Sequence, residues 1–155
     1  MQTIKPCLWF NNNAEEALDY YKNIFRDIKI LDTSSLPNES GEDTLLVATI
    51  RIKDSDIMLL NGNANFQFNE SISLVYTCEN QEEVDYLWSK LTADGGTEVQ
   101  CGWLKDKMGV SWQIVPKQLG EILSRDDHER VQKAMQAMML MVKIDINKIE
   151  EAYNS

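Results

Sequence analysis

Histidine, cysteine and glycine are scarce in this sequence, and each scarcity excludes a class of site. The single histidine, His128, cannot supply the two or more imidazoles of a multi-histidine metal centre. The cysteines, Cys7, Cys78 and Cys101, are odd in number and form no Cys-x-x-Cys pair, which argues against a disulfide framework and a zinc ribbon. The seven glycines form no glycine-rich turn between a strand and a helix, and the sequence contains no P-loop or HExxH motif.

Positive charge is also scarce. The chain has 15 Lys and Arg residues against 25 Asp and Glu residues, so its formal net charge is −10. Such a chain repels phosphate backbones, and we expect no nucleic-acid partner. No apolar run approaches the roughly 20 residues that span a bilayer, and the first residues lack the apolar core of a signal peptide. We therefore expect a cytoplasmic protein with no membrane partner.

The apolar content, 43% of 155 residues, is sufficient for a folded core. Alternating apolar residues predict strands, and residues repeating at i, i+3, i+4 and i+7 predict helices. The predicted helices follow Asn13 and Asn80, each with two acidic residues in its first turn. Strands are predicted over 3–10, 28–35, 45–52, 57–61, 71–78, 97–105 and 110–115, and further helices over 118–124, 127–142 and 145–153.

An internal repeat organises these elements. The segment Asn13-Ala14-Glu15-Glu16-Ala17 matches Asn80-Gln81-Glu82-Glu83-Val84, which lies 67 residues later. The turns Ile52-Lys53-Asp54 and Leu104-Lys105-Asp106 hold the same place in each half. The repeat predicts an α+β fold in one domain over 1–155, with module one over 1–62, module two over 70–116 and helices over 117–155.

Each module's helix can cover only one face of its strands. We expect the more apolar alternating set to lie under the helices: Cys7, Trp9, Met58, Leu60, Ile72, Leu74, Tyr76, Trp112 and Ile114. The opposite set mixes apolar and uncharged polar side chains: Leu8, Phe10, Leu59, Asn61, Ser71, Ser73, Ser111 and Gln113. A curved sheet with this mixture on its concave side is typical of a small-molecule cleft.

Three stretches of the chain carry a family resemblance. They are residues 9–17 (WFNNNAEEA), 66–70 (FQFNE) and, most specifically, 101–116 (CGWLKDKMGVSWQIVP). With the two βαβββ modules, they resemble the vicinal oxygen chelate superfamily, which includes glyoxalase I and the bleomycin-resistance proteins. The similarity is greatest to its PhnB-like branch, often named demethylubiquinone methyltransferase-like. The resemblance implies a homodimer, because relatives commonly pair modules across a two-fold axis.

The resemblance also bears on metal binding. Enzymes of the superfamily hold a divalent ion with His, Glu, His and Glu, and approximate alignment carries those positions onto Pro6, Leu59, Ser71 and Gln113. These residues lack the charged oxygens and imidazoles that offset a divalent ion's loss of hydration. We therefore expect no metal and no cofactor.

Three functions remain open. The first is metal-independent binding of a small molecule, with Phe10, Asn61, Ser73, Trp103 and Gln113 near the ligand. The second is an enzyme of the superfamily, a lyase, dioxygenase or methyltransferase, with Cys101 as nucleophile or Glu70 or Asp106 as base. No catalytic residue can be assigned, and Glu70 and Asp106 also fit solvated turns. The third is an interaction module that uses the Met135–Met141 helix.

Overall fold

A computed structural model describes residues 4–38, 40–63 and 65–155. The chain forms two compact units, Met1–Gln67 and Phe68–Ser155. Within the described part of the chain, no helix has the length and apolar character needed to cross a membrane.

The first unit has the order βαβββ. Its elements are β1 (Cys7–Asn11), α1 (Ala14–Ile24), β2 (Lys29–Pro37), β3 (Asp43–Ile52) and β4 (Ser55–Gly62). The sheet order is β1-β4-β3-β2; β1 runs parallel to β4, and the other pairs are antiparallel. The predicted first strand begins only at Cys7, and Thr3 lies outside the described residues. Glu39, in the predicted 37–43 loop, also lies outside them.

The second unit repeats this order and adds three helices. Its elements are β5 (Leu74–Cys78), α2 (Gln81–Leu91), β6 (Thr97–Glu98), β7 (Trp103–Lys105), β8 (Ser111–Pro116), α3 (Lys117–Leu123), α4 (His128–Met139) and α5 (Ile146–Asn154). The sheet order is β5-β8-β7-β6, with β5 parallel to β8. The predicted α+β class, the two βαβββ modules and the helical C-terminal extension are confirmed.

The predicted strand over 97–105 is interrupted. Cys101 and Gly102 both have positive φ, 59° and 79°, and this turn separates β6 from β7. The backbone N–H groups of Cys101 and Gly102 donate to the carbonyls of Met141 and Val142, 2.9 and 2.8 Å away. The segment between α4 and α5, at Met141 and Val142, therefore forms backbone hydrogen bonds with the turn between β6 and β7.

The extension has its own apolar core, which includes Ile122, Ala134, Ile144 and Ile149, all fully buried. Gln81, at the start of α2, secures it: its Nε2 donates to the carbonyl of Ile144 and its Oε1 accepts from the N–H of Ile146, each at 2.9 Å. The helices after Pro116 are therefore an integral part of the second unit.

The prediction of which strand face lies under the helix is right for β5 and β8 of the second unit and wrong in the first unit. Ile72, which was also expected under the helix, precedes β5 and is 73% exposed. Tyr76, Trp112 and Ile114 are buried as expected. In β1, however, Leu8 and Phe10 are buried and Trp9 is exposed. The alternation in β1 is therefore one residue out of phase with the alternation at the same repeat position in β5.

Candidate functional site

The open face of the second unit is the sheet surface away from the buried side chains that pack with α2. It carries Ser73, Val75, Trp103, Ser111 and Gln113. Val75, Gln113 and Trp103 are register partners across β5, β8 and β7, so the three side chains share this face. Gln113 Nε2 donates to Ser73 Oγ at 2.9 Å. The structure thus brings together three of the five predicted ligand-binding residues.

Ser111 adds a buried hydroxyl to the same face. It precedes Gln113 by two residues on β8, so the two side chains point the same way. Only 2% of Ser111 is exposed, and its Oγ has no hydrogen-bond partner among the described residues. A buried hydroxyl without a partner is unfavourable, so this atom would gain from a bound water or ligand group. The sequence placed Ser111 on the cleft side but did not single it out, because serine alone does not reveal an unmet hydrogen bond.

The four tryptophans fall into two pairs. Trp88 Nε1 donates to Glu98 at 2.6 Å, and Trp112 Nε1 donates to Asp106 at 2.9 Å, so both indole N–H groups are held by carboxylates. Trp103, on the open face of the second unit, has no hydrogen-bond acceptor for its indole N–H within the described residues, and neither has Trp9. Tyr and Trp polar atoms normally find a partner when they are buried, and these two are not fully buried.

Phe10 and Asn61 do not lie on an open face, and that part of the prediction is wrong. Phe10 is 1% exposed and belongs to the buried side of β1. Asn61 Oδ1 accepts from the N–H of Ala14 at 3.1 Å, and its Nδ2 donates to the carbonyl of Leu45 at 2.9 Å. Asn61 therefore satisfies the first N–H of α1. On the open side of β1 the residue is Trp9, which the prediction had placed under the helix.

The candidate catalytic groups are held in structural interactions. Asp106 is 2% exposed and accepts three hydrogen bonds, so the expectation of a solvated turn residue is wrong. Glu70 pairs with Lys105, and that hydrogen bond lowers the pKa of the Glu70 carboxyl, which makes it a weaker base. Cys101 Sγ lies 3.9 Å from the carbonyl oxygen of Met139. His128 lies at the start of α4 and is exposed.

The positions that carry metal ligands in the superfamily do not fit a divalent ion here. Leu59 is a fully buried hydrocarbon, and the Ser71 hydroxyl is bonded to Asn69. The Gln113 amide is engaged with Ser73. Within residues 4–38, 40–63 and 65–155, no group of three or more His, Cys, Asp or Glu side chains is arranged to hold a metal ion.

Comparison with known proteins gives one family and several similar structures. The profile of the family described as 3-demethylubiquinone-9 3-methyltransferase matches residues 2–115. The PhnB protein of Bacillus cereus, named as a 3-demethylubiquinone-9 3-methyltransferase, is 32% identical with a TM-score of 0.66; the match covers 74% of this chain and 99% of that one. No protein among the curated ones matches significantly.

Two structures of the fosfomycin resistance protein FosX of Listeria monocytogenes share the fold at lower identity. The first is 17% identical with a TM-score of 0.60, over 80% of this chain and 98% of that one. The second, a complex with Mn(II) and sulfate, is 15% identical with a TM-score of 0.55, over 80% of this chain and 100% of that one. The family profile ends at residue 115, so the α3–α5 extension lies beyond its match.

Proposed function

The chain belongs to the PhnB-like family described as 3-demethylubiquinone-9 3-methyltransferase, and we propose that it binds an uncharged small organic molecule without a metal ion. The binding surface is the open face of the second unit. The observation that carries the proposal is the cluster of Ser73, Ser111 and Gln113 beside Trp103. This cluster combines an apolar ring with hydrogen-bonding groups that other side chains do not saturate.

The ligand's chemistry follows from those groups. The Gln113 amide uses its Nε2 on Ser73, and its Oε1 has no partner among the described residues, so it can accept from a ligand hydroxyl or N–H. The Trp103 N–H can donate to a ligand oxygen. Lys105, which follows Trp103 by two residues on β7, is paired with Glu70. A ligand with an apolar body and both donor and acceptor groups, such as an aromatic alcohol or amide, suits this set.

Binding is proposed ahead of catalysis because of what the reactive groups contact. Asp106 is held by three donors, and Glu70 is held by a lysine. A general base needs a free lone pair within reach of a substrate proton. The alternative is an enzyme acting on a small organic substrate, such as the methyltransferase that the family's name suggests. A measured turnover would favour it. We further propose a cytoplasmic homodimer, which native mass spectrometry at several protein concentrations would test.

The experiment is a screen of uncharged aromatic alcohols and amides, read by native mass spectrometry and by the indole N–H signals of a ¹⁵N-labelled sample. We expect hits to shift the Trp103 signal while Trp88 and Trp112, which are bonded to carboxylates, stay unchanged. In Gln113→Leu the same hits should lose at least tenfold in affinity. The matched control is Gln132→Leu on the exposed side of α4, which should bind as the parent does.

The variant Ser111→Ala gives a second test, in which stability and ligand affinity should not fall together. Ser111→Ala removes a buried hydroxyl that has no partner, so the ligand-free variant should be at least as stable as the parent protein. If a ligand satisfies that hydroxyl, the same variant should bind more weakly. The proposal would be contradicted if no compound of the library shifted the Trp103 indole signal, or if the hits bound Gln113→Leu with the same affinity as the parent protein. A stoichiometric divalent ion in the native mass spectrum would contradict its metal-independent part.

A further inference from the structure

The outer face of α4 carries no charge. We define this face by Met135, Gln136, Met139 and Leu140, which are spaced by three and four residues on the second half of the helix and its C-cap and are all exposed. Met135, Met139 and Leu140 are 43%, 60% and 89% exposed. The solvent side of a surface helix normally carries charged and polar side chains. A contiguous apolar patch in this place points to contact with another molecule.

The sequence around this face is unusually poor in charge. Lys133 is the only charged residue over 131–142, although charged residues make up 26% of the chain. Its Nζ donates to the carbonyl of Ser155 at 2.9 Å, so this ammonium group is directed to the end of α5. By contrast, α1, α2 and α5 each expose at least two acidic side chains. The uncharged outer face is therefore particular to α4 among these helices.

Packing fixes the position of the outer face of α4. On the opposite side of the helix, Val131 and Ala134 are buried in the core of the extension. At its C-terminal end, the turn between β6 and β7 lies against the chain: Cys101 Sγ is 3.9 Å from the carbonyl oxygen of Met139, and the Gly102 N–H donates to the carbonyl of Val142. A surface held in this way loses little backbone entropy when a partner docks on it.

We propose that the outer face of α4 docks on the same face of a second copy of this chain, with the two helices antiparallel about a two-fold axis. Charge selects this occupant. Each copy has a net charge of −10, so two copies repel each other wherever their acidic surfaces meet. On the outer face of α4 they can approach without bringing like charges together. An anionic lipid surface would repel the same chain.

The side chains suit a contact between identical surfaces. In the antiparallel arrangement, Met135 of one copy lies opposite Met139 of the other, and the reverse pair is related by the two-fold axis. The unbranched thioether side chain of methionine adapts its shape to an apolar partner. The Gln136 amide both donates and accepts, so the two copies of it can bond to each other beside the methionines.

This contact does not rest on the ligand binding proposed above. The family profile ends at residue 115, and the match to the PhnB protein of Bacillus cereus covers 99% of that chain but 74% of this one. The outer face of α4 lies beyond the profile, so it would be an association surface that the family profile does not include. If the modules also pair, the α4 contact joins two such dimers.

The test compares the masses of full-length variants by native mass spectrometry and sedimentation velocity at several protein concentrations. Met139→Glu places a carboxylate in the contact, where it would be desolvated opposite a methionine. We expect the mass of the assembly to halve and the dissociation constant to rise at least tenfold. Met139 is 60% exposed, so the variant should fold as the parent does, which circular dichroism checks. The control Asn147→Glu adds the same charge at an exposed position of α5 and should keep the parent's mass.

A mixing experiment tests the antiparallel orientation. Met135→Lys should dissociate on its own, as Met139→Glu does. Because position 135 of one copy faces position 139 of the other, an equimolar mixture of the two variants should regain the parent's assembly mass as a mixed species.

Four results would overturn the proposal. The first is a parent protein that is monomeric at every concentration, which would also contradict the homodimer proposed above. The second is a dimeric parent whose mass is unchanged in Met139→Glu, which would leave that homodimer standing. The third is a mixture of the two variants that stays dissociated. The fourth is a parent that binds phosphatidylcholine vesicles through this face, with binding lost in Met139→Glu, which would assign the face to a lipid surface.

Discussion

Replacing Asp106 by alanine should cost the second unit a large part of its stability. The Asp106 carboxylate accepts from the N–H groups of Met108 at 2.9 Å and Val110 at 3.0 Å through Oδ1, and from Trp112 Nε1 at 2.9 Å through Oδ2. Val110 and Trp112 are 3% and 2% exposed, so the variant leaves two buried donors without an acceptor. Each orphaned donor costs about 1–3 kcal/mol, which predicts a loss of about 2–6 kcal/mol in the free energy of unfolding. Domains of this size are stable by only about 5–15 kcal/mol.

Urea unfolding followed by far-ultraviolet circular dichroism and tryptophan fluorescence measures this loss. Asp106→Asn should be milder than Asp106→Ala, because the amide oxygen can still accept from the two backbone N–H groups. The matched control is Asp54→Ala, in the turn that the sequence aligns with that of Asp106; Asp54 is exposed, and its variant should unfold as the parent does. A loss below about 1 kcal/mol in Asp106→Ala, or an equal loss in Asp54→Ala, would refute the reasoning.

Three further predictions follow from particular contacts. Asn61→Ala removes the acceptor for the first N–H of α1 and should lower the free energy of unfolding by about 1–2 kcal/mol in urea unfolding, without changing ligand affinity at the second unit. The bond from Arg51 holds the pKa of Asp56 below its ordinary value, so this carboxylate stabilises the fold above about pH 4 and the gain is lost as the pH falls through the lowered pKa; acid unfolding of Asp56→Asn should lack this component. Gly102→Ala places a Cβ 2.9 Å from Ile144 Cγ1 at a φ of 79°, and should speed hydrogen exchange in the 141–146 segment.

The elements of the fold were largely predictable because local signals agree with the packing. Asn80 accepts from the N–H of Glu83 at 2.9 Å, as an N-cap preceding two acids predicts. In β5 and β8 the strict alternation around Tyr76 and Ile114 assigns the buried face correctly. The strands with one clearly polar side and the helices with one apolar face were therefore found from the sequence.

The face of β1 was not predictable, because its sequence carries no alternation to read. Cys7, Leu8, Trp9 and Phe10 are all apolar, so period-two counting cannot select a side. The spacing of 67 residues that relates α1 to α2 does not carry the same buried face into the strands before them. Asn12, in the link from β1 to α1, has a φ of 57°, a left-handed conformation that Glu79, 67 residues later in the second unit, does not share. A single residue out of phase exchanges the two faces of a strand.

The N-cap of α1 shows a second limit of prediction from the sequence. Asn13 has the position and residue type of an N-cap, yet its side chain makes no capping hydrogen bond. The acceptor for the N–H of Ala14 comes instead from Asn61, 47 residues away in sequence. Local propensity predicts where a helix begins, whereas the group that satisfies its first N–H depends on which strand lies beside it.

The candidate binding residues also depend on hydrogen-bond partners that are distant in sequence, as the cap of α1 does. All four tryptophans look alike in sequence, as large apolar residues in strands or helices. Trp88 and Trp112 are set apart only by carboxylates that fold against them, from Glu98 and Asp106. Trp9 and Trp103 lie on the face of their sheet where no such carboxylate is in place among the described residues. An indole N–H that the fold leaves without an acceptor, beside an unsaturated amide, is available for a ligand. This difference therefore separates Trp103, which is proposed to bind a ligand, from Trp88 and Trp112, whose indole N–H groups stabilise the fold.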